Sequence, residues 1–338
     1  MHESVESFAP AKVNLALSVG APRADGMHEI ASWMTGTSFG DSLTVTRLKA
    51  GRPSRYSIDW HAEARVRTDI DWPIRKDLAV RAHLLLEEAL GRELPVQLRL
   101  EKRIPVGGGL GGGSSNAGAM LRALDALFGL RLRPAYLEVL AARLGSDVPF
   151  LVRGGSAFVE GLGERLEQAP AHEVHLVLVF PGAQCPTGAV YRAFDGLRPD
   201  ARVDAARVRA LAAEAPRAHE PFNDLADAAL AVAPVLAETA AKVAALAELP
   251  VHVSGSGSTL FVVCDSSIHA EALAGAVEMR LGLPAVATVT AATPHEVVDG
   301  VERPFGTAMP PIGDDDDEND DDRGAPDADG EAGAGAVS

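Results

Sequence analysis

Six glycines fall within the seven residues 107–113, and no other stretch of the chain restricts its fold as tightly. The run reads Pro105-Val106-Gly107-Gly108-Gly109-Leu110-Gly111-Gly112-Gly113-Ser114-Ser115-Asn116. Val96 to Leu100 alternates with strand period and leads into it. Ala117 to Phe128 follows at once, with Met120, Leu121, Leu124, Leu127 and Phe128 at helical spacing. Glycine has no Cβ, so its backbone turns tightly and comes close to a ligand. The first turn of a helix presents N–H groups without intrahelical partners and carries positive dipole character. Strand, glycine loop and helix start together make an anion site, most simply for phosphate. A flexible Gly/Ser linker is the plain alternative, but linkers are not usually wedged between a strand and a helix start.

The rest of the chain reads as strands and helices in alternation. Phe8 to Val19 is a strand in which Lys12 and Asn14, two residues apart, share a face. Short strands follow at 43–48 and 56–60, and a helix at 77–90 stops at Gly91. Pro134 opens a second helix that ends near Leu144, and Gly145-Ser146-Asp147-Val148-Pro149-Phe150 breaks it. A hairpin forms around Gly161 and Gly163, and a strand at 174–180. Helical, alanine-rich segments cover about 203–215 and 225–247. Strands at 251–253 and 260–263 flank the tight turn Ser254-Gly255-Ser256-Gly257-Ser258. A helix at about 267–281 and a strand at about 285–291 complete the pattern, so the class is α+β or α/β.

Composition narrows what the loop can serve. The chain has 338 residues and 47% hydrophobic residues, enough for one large domain or two ordinary ones. The net charge is −16, which speaks against nucleic acid or an anionic membrane as a general partner. Aromatic residues are only 5%, too few for base-stacking platforms. Much of the charge lies at the C-terminal end, where the run DDDDENDDD follows Pro310-Pro311. That end has few apolar groups and is expected to be disordered from about Pro304. Cys185 and Cys264 match no metal spacing and fit buried thiols in a reducing cytoplasm. Glu3 and Glu6 precede the first apolar run, where a targeting leader would be basic, and no apolar stretch reaches membrane-spanning length.

Three phosphate loops compete for the glycine run. Gly107-x-Gly109-x-x-Gly112 fits the dinucleotide pattern, but any glycine run contains it. The strand ending in an acidic residue about 20 positions on, which that motif needs, is replaced here by helix. The Walker loop needs a lysine after its last glycine, and there is none. The third form, Pro-x-Gly-x-Gly-Leu-Gly-Ser-Ser leading into a helix, is the phosphate loop of the GHMP kinase superfamily, and residues 105–115 resemble it closely. Pro10-Ala11-Lys12-Val13-Asn14-Leu15 resembles that superfamily's first motif and Val253 to Ser258 its third. Arg23-Ala24-Asp25-Gly26, His28-Glu29, Gly145 to Phe150 and Phe222-Asn223-Asp224-Leu225 further resemble one branch. Its members phosphorylate the 2-hydroxyl of a cytidine diphosphate-linked methylerythritol, on the non-mevalonate route to isoprenoids. The likeness covers residues 8 to about 291.

The resemblance implies a two-domain α+β GHMP kinase fold. A ribosomal-protein-S5-domain-2-like, ATP-binding part would span 1–168, a ferredoxin-like part 169–300, and the acidic tail 301–338. It implies ATP, with Mg2+, and a small-molecule substrate in the cytoplasm; a homodimer is compatible with it. Pro105, Val106, Gly107, Gly108, Gly109, Leu110, Gly111, Gly112, Gly113, Ser114 and Ser115 would cradle the ATP phosphates. Ser114 or Ser115 would hold a phosphate oxygen or the metal, or else cap the helix. Asp147 is implied as the base that takes the hydroxyl proton, and Lys12 as its electrostatic partner; alone, one would be a turn residue and the other a strand-edge lysine. Asn14, His28 and Tyr191 are implied in substrate binding. Two letters depart from the branch: Met27 stands where a tyrosine is common, and Asn116 where the loop usually ends in aspartate. Other members of the superfamily act on homoserine or mevalonate, and a non-catalytic paralogue could hold nucleotide alone. Retention of both Lys12 and Asp147 speaks against the latter.

Overall fold

The alternation seen in the strands decides the layering. In the computed structural model, which describes residues 3–290 and the backbone of 295–298 and 301–304, β1 spans Ser4–Pro22 and β2 His28–Arg47. They form a long antiparallel pair. β3 (Arg55–Trp60), α1 (Leu78–Leu90) and β4 (Val96–Lys102) follow. Next come α2 (Gly112–Phe128), α3 (Pro134–Ala142), α4 (Val148–Arg153) and the hairpin β5 (Ser156–Gly161) with β6 (Arg165–Gln168). The later part holds β7 (His175–Val179), α5 (Thr187–Leu197), α6 (Ala205–Leu211), β8 (Phe222–Asn223), α7 (Ala226–Val232) and α8 (Pro234–Ala247). It ends with β9 (His252–Val253), β10 (Leu260–Cys264), α9 (Ser267–Leu281), β11 (Ala285–Val289), β12 (His295–Val298) and β13 (Val301–Pro304).

Two sheets result. The larger runs β12-β13-β1-β2-β4-β3, with β5 paired to β2, β6 to β5 and β8 to β1. The smaller, antiparallel sheet runs β11-β7-β10-β9. On β7, Leu176 and Leu178 point to the core shared with Val13, Leu15 and Trp33 of the larger sheet. Val177 and Val179 point the other way, to a core with Val190, Phe194, Leu236 and Val277 from the helices. The period of two thus covers both faces of this sheet. On the far side of the larger sheet, Val96, Leu98 and Leu100 pack against Met120, Leu121 and Leu124 of α2. At about 25 cal/mol per Å2 of apolar surface, each such fully buried side chain contributes roughly 1.5–3 kcal/mol.

The α+β class holds, and the differences are local. β2 begins at His28, whereas only 43–48 of it reads as strand in the sequence. Gly36, Gly40 and a series of Thr and Ser dilute its apolar pattern, and pairing with β1, β4 and β5 forms the strand instead. α2 starts inside the glycine run, because Gly111 adopts φ 67° and acts as its N-cap. The break at 145–150 restarts as α4, with Pro149 in the first turn. The segment 225–247 splits at Ala233-Pro234 into α7 and α8, since proline cannot continue a helix. β8, β12 and β13 carry no signal of their own in the sequence. Beyond the strand 301–304, the expected acidic tail lies outside the described residues. No single helix among the described residues is long and apolar enough to cross a membrane. Cys185 and Cys264 are unpaired and buried.

Candidate active site

Lys12 is a lysine in the middle of a strand that is buried on both faces, and only 6% of its side chain is exposed. A charge there needs partners. Its Nζ donates to Asn14 Oδ1 at 2.7 Å and lies 3.8 Å from Asp147 Oδ2. Asn14 is oriented in turn: its Nδ2 donates to Ser32 Oγ at 2.8 Å, and Ser32 donates to the carbonyl of Ala16 at 2.8 Å. The hydroxyl proton is committed to a carbonyl, so the serine lone pair accepts the amide N–H and Asn14 presents its oxygen to Lys12.

Asp147 reaches this point on α4. It occupies the N-cap, yet its side chain makes no capping hydrogen bond, and 29% of it is exposed. The carboxylate therefore serves the cleft and not the helix. α4 lies hard against α2 at Gly118, where a Cβ would sit 2.9 Å from the carbonyl oxygen of Leu151. A larger residue there would push α4, and with it Asp147, away from Lys12.

The three glycine- or lysine-bearing motifs meet at one place. The backbone N–H of Lys12 donates to the carbonyl of Leu110 at 2.9 Å, and that of Thr259 to Gly108 at 3.0 Å. Gly109, at φ 77°, is packed so closely that a Cβ would fall 2.3 Å from the carbonyl oxygen of Ser254. The turn 254–258 is itself held by Asn223, whose Nδ2 donates to the carbonyls of Val253 (2.8 Å) and Gly255 (2.7 Å). In α2 the first helical hydrogen bond runs from Ser115 N to Gly111 O at 2.8 Å. The N–H groups of Gly112, Gly113 and Ser114 precede it and are the donors an anion would meet.

Two clefts flank this junction. The smaller, about 350 Å3, is lined by Pro105 to Ser114 together with Trp72, Lys76, Asp77, Lys102 and Asn116. Ser115 lies behind its wall, fully buried. Ser115 Oγ and Asn116 Oδ1 have no hydrogen-bond partner among the described residues. The floor of this cleft is braced by Asp41, which is buried and accepts from Lys102 Nζ (2.6 Å), Arg103 N (2.6 Å) and Ile104 N (2.8 Å). The larger cleft, about 670 Å3, holds Lys12, Asn14 and Asp147 at one place and Met27, His28 and Tyr191 at another. Gly109 and Gly111 line both clefts.

In the larger cleft the His28 and Tyr191 rings lie 4.7 Å apart, centre to centre. The Tyr191 hydroxyl is pushed up to about 12, first by burial and then by the negative charge of Asp147. It remains a protonated donor at neutral pH. Met27 is 52% exposed at the same cleft. All the residues expected at the site thus border one cleft or the other, apart from Ser115.

Ser32, Asp41, Asn223, Arg192 and Asp195 were not legible as site residues. Asn223 lies in a motif the sequence does display, but its partners are two carbonyls thirty and thirty-two residues away. Arg192 lines the larger cleft and makes no ion pair or hydrogen bond with the described residues. Asp195 pairs with His28 across 167 positions of sequence.

Residues 77–155 match the GHMP kinases N terminal domain. That span holds the glycine loop, α2 and Asp147. The 4-diphosphocytidyl-2-C-methyl-D-erythritol kinase of Thermus thermophilus is 39% identical over 279 residues, which is 81% of this chain and 92% of that one. The chain belongs to the 4-diphosphocytidyl-2-C-methyl-D-erythritol kinase family. A crystal structure of a 4-(cytidine 5'-diphospho)-2C-methyl-D-erythritol kinase superposes with a TM-score of 0.69 at 36% identity, covering 84% of this chain and 98% of that one. A homoserine kinase from Cytophaga hutchinsonii shares the fold, with a TM-score of 0.59 at 17% identity over 86% and 96% of the two chains. Members of the 4-diphosphocytidyl-2-C-methyl-D-erythritol kinase family are GHMP kinases, and this chain is accordingly an ATP-dependent phosphotransferase with the GHMP kinase fold.

Proposed function

We propose that this chain transfers the terminal phosphoryl group of ATP to the 2-hydroxyl of 4-diphosphocytidyl-2-C-methyl-D-erythritol, in the cytoplasm, on the non-mevalonate route to isoprenoids. The observation that carries the reading is the Lys12–Asp147 pair, 3.8 Å apart at the larger cleft, beside the glycines that also line the smaller one. ATP lies in the smaller cleft, with its phosphates along Pro105 to Ser115. The methylerythritol end lies beside Asp147, and the cytidine lies against His28 and Tyr191.

The attacking oxygen gains a bond to phosphorus, the bond between that phosphorus and the ADP oxygen breaks, and the hydroxyl proton passes to Asp147. Lys12 offsets the negative charge that grows on the attacking oxygen. Asn14 keeps the Lys12 ammonium in place through its 2.7 Å bond. Mg2+ carried with ATP neutralises phosphate charge. Asn116 lines the smaller cleft and its Oδ1 has no hydrogen-bond partner among the described residues, so it would be the oxygen donor that suits the ion. The substrate's diphosphate finds its cation in Arg192, which pairs with no carboxylate among the described residues. A division of the chain at 168/169 would fall between β6 and β7, although β8, β12 and β13, from beyond it, pair into the larger sheet.

An ADP-release assay on purified protein tests the reading directly. Robust turnover is expected with the cytidine diphosphate-linked erythritol, and background with homoserine or mevalonate. Turnover of either of these, with none of the first, would overturn the substrate assignment.

A further inference from the structure

His28 is held from three sides, and one contact has a consequence for which base the cleft accepts. Its Nε2 lies 2.7 Å from Asp195 Oδ1, and only 7% of its side chain is exposed. Tyr191 packs on the ring at 4.7 Å with a 48° tilt, and Phe194 meets it edge-on at 6.4 Å. All three partners come from α5, so the ring is fixed by one rigid element. Nδ1 makes no hydrogen bond with the described residues, and His28 and Asp195 both line the larger cleft.

We propose that Asp195 is a positioning residue that sets His28 as the Nε2–H tautomer and thereby makes the cleft select cytosine over uracil. This rests on the assignment of the cytidine end to His28 and Tyr191. An ionised carboxylate accepts hydrogen bonds and donates none, so the nitrogen facing it carries the proton. Nδ1 then has a lone pair and acts as an acceptor. The two pyrimidines differ at position 4, where cytosine carries an amino donor and uracil a carbonyl acceptor. An acceptor on His28 satisfies the first and faces the lone pairs of the second. A site that hydrogen-bonds one group and leaves the other unpaired discriminates far better than one that only measures size.

Binding of CDP and of UDP to the whole protein at pH 8, measured by calorimetry, tests this apart from turnover. Wild type is expected to bind CDP at least about tenfold more tightly than UDP, the scale of discrimination a base-edge contact supplies. Asp195→Lys places a donor-only ammonium at Nε2 and forces the proton to Nδ1, so the ratio should fall to unity or invert. Taking a ratio cancels the general gain in anion binding that the new charge brings. An unchanged ratio in that variant, with the cytidine-linked substrate still turned over by wild type, would overturn the tautomer proposal alone. Failure of both nucleotides to bind wild type would overturn it together with the substrate reading. Should the variant fail to fold, the 15N shifts of His28 in wild type at pH 8 decide: Nε2–H with an unprotonated Nδ1 supports the proposal, and a proton on Nδ1 overturns it.

Discussion

Asp147 holds a helix N-cap without capping the helix, and Lys12 holds a buried strand position without an ordinary strand role. Both side chains are spent on each other and on the cleft. Asp147→Asn keeps the shape and removes the carboxylate proposed as the proton acceptor. Its kcat should fall about 10²–10⁴-fold, the range of a general base, while ATP affinity changes little. Near-normal kcat in that variant would remove Asp147 from the proton transfer. Lys12→Met should lower kcat by about 10²-fold, by loss of the charge proposed to face the reacting oxygen. It should also leave Asn14 Oδ1 without its donor. The types of these two residues are legible in the sequence, but their pairing is not. Nothing local to residue 12 says that it meets residue 147.

At the scale of elements, the site is the junction of a loop, a turn and two strands, and Gly109 is where they touch. Alanine there would need positive φ and a Cβ 2.3 Å from the carbonyl oxygen of Ser254. Backbone strain of that kind costs on the order of 1–3 kcal/mol, and the loop would relieve it by moving off the turn 254–258. Gly109→Ala should therefore raise the KM for ATP at least tenfold and lower the melting temperature by several degrees. An ATP KM within twofold of wild type would show that the contact does not shape the phosphate cradle. The glycine run announces a tight loop by composition alone. That the same glycines seat it against a turn some 145 residues on follows only from the packing. Asp41 and its three bonds to 102–104 are hidden for the same reason: a lone aspartate in a strand reads as surface until its partners are known.

At the scale of the whole molecule, two histidines tie stability to pH. His83 is fully buried; its Nε2–H donates to the carbonyl of Leu94 at 2.9 Å, and its Nδ1 accepts from the Tyr56 hydroxyl at 2.8 Å. His252 donates through Nε2–H to the carbonyl of Ala218 at 2.7 Å. Burial pushes both below the ordinary histidine value of 6.5, against the pull of Glu87 on the first and of its backbone bond on the second. Well above 6.5 both are neutral whether folded or not, and they contribute little to the pH dependence. Below it the unfolded chain binds protons that the folded chain refuses, so stability falls as pH falls. The slope is up to about 1.4 kcal/mol per pH unit for each histidine. Asp125, which burial pushes up, acts in the opposite sense but only towards the carboxylate range. The melting temperature should be level from pH 8 to 7 and drop between 6.5 and 5.5, with a smaller drop in His83→Gln. A level profile down to pH 5.5 would show that neither histidine is held neutral by the fold.

What the sequence determined by itself is the set of parts: a glycine loop running into a helix start, a lysine and asparagine on one strand face, a second glycine turn, an aspartate at a helix break and the α+β class. Each depends on residue type and near neighbours, because backbone freedom, periodicity and chemical group are local properties. The tertiary structure alone decided the assembly: the full length of β2, the restart of the chain as α4 beneath Asp147, the two clefts sharing Gly109 and Gly111, and the hold of Asp195 on His28. These are contacts between residues far apart in the chain. Their energy comes from burial and from pairing polar groups away from water, and neither leaves a pattern in the sequence around one residue.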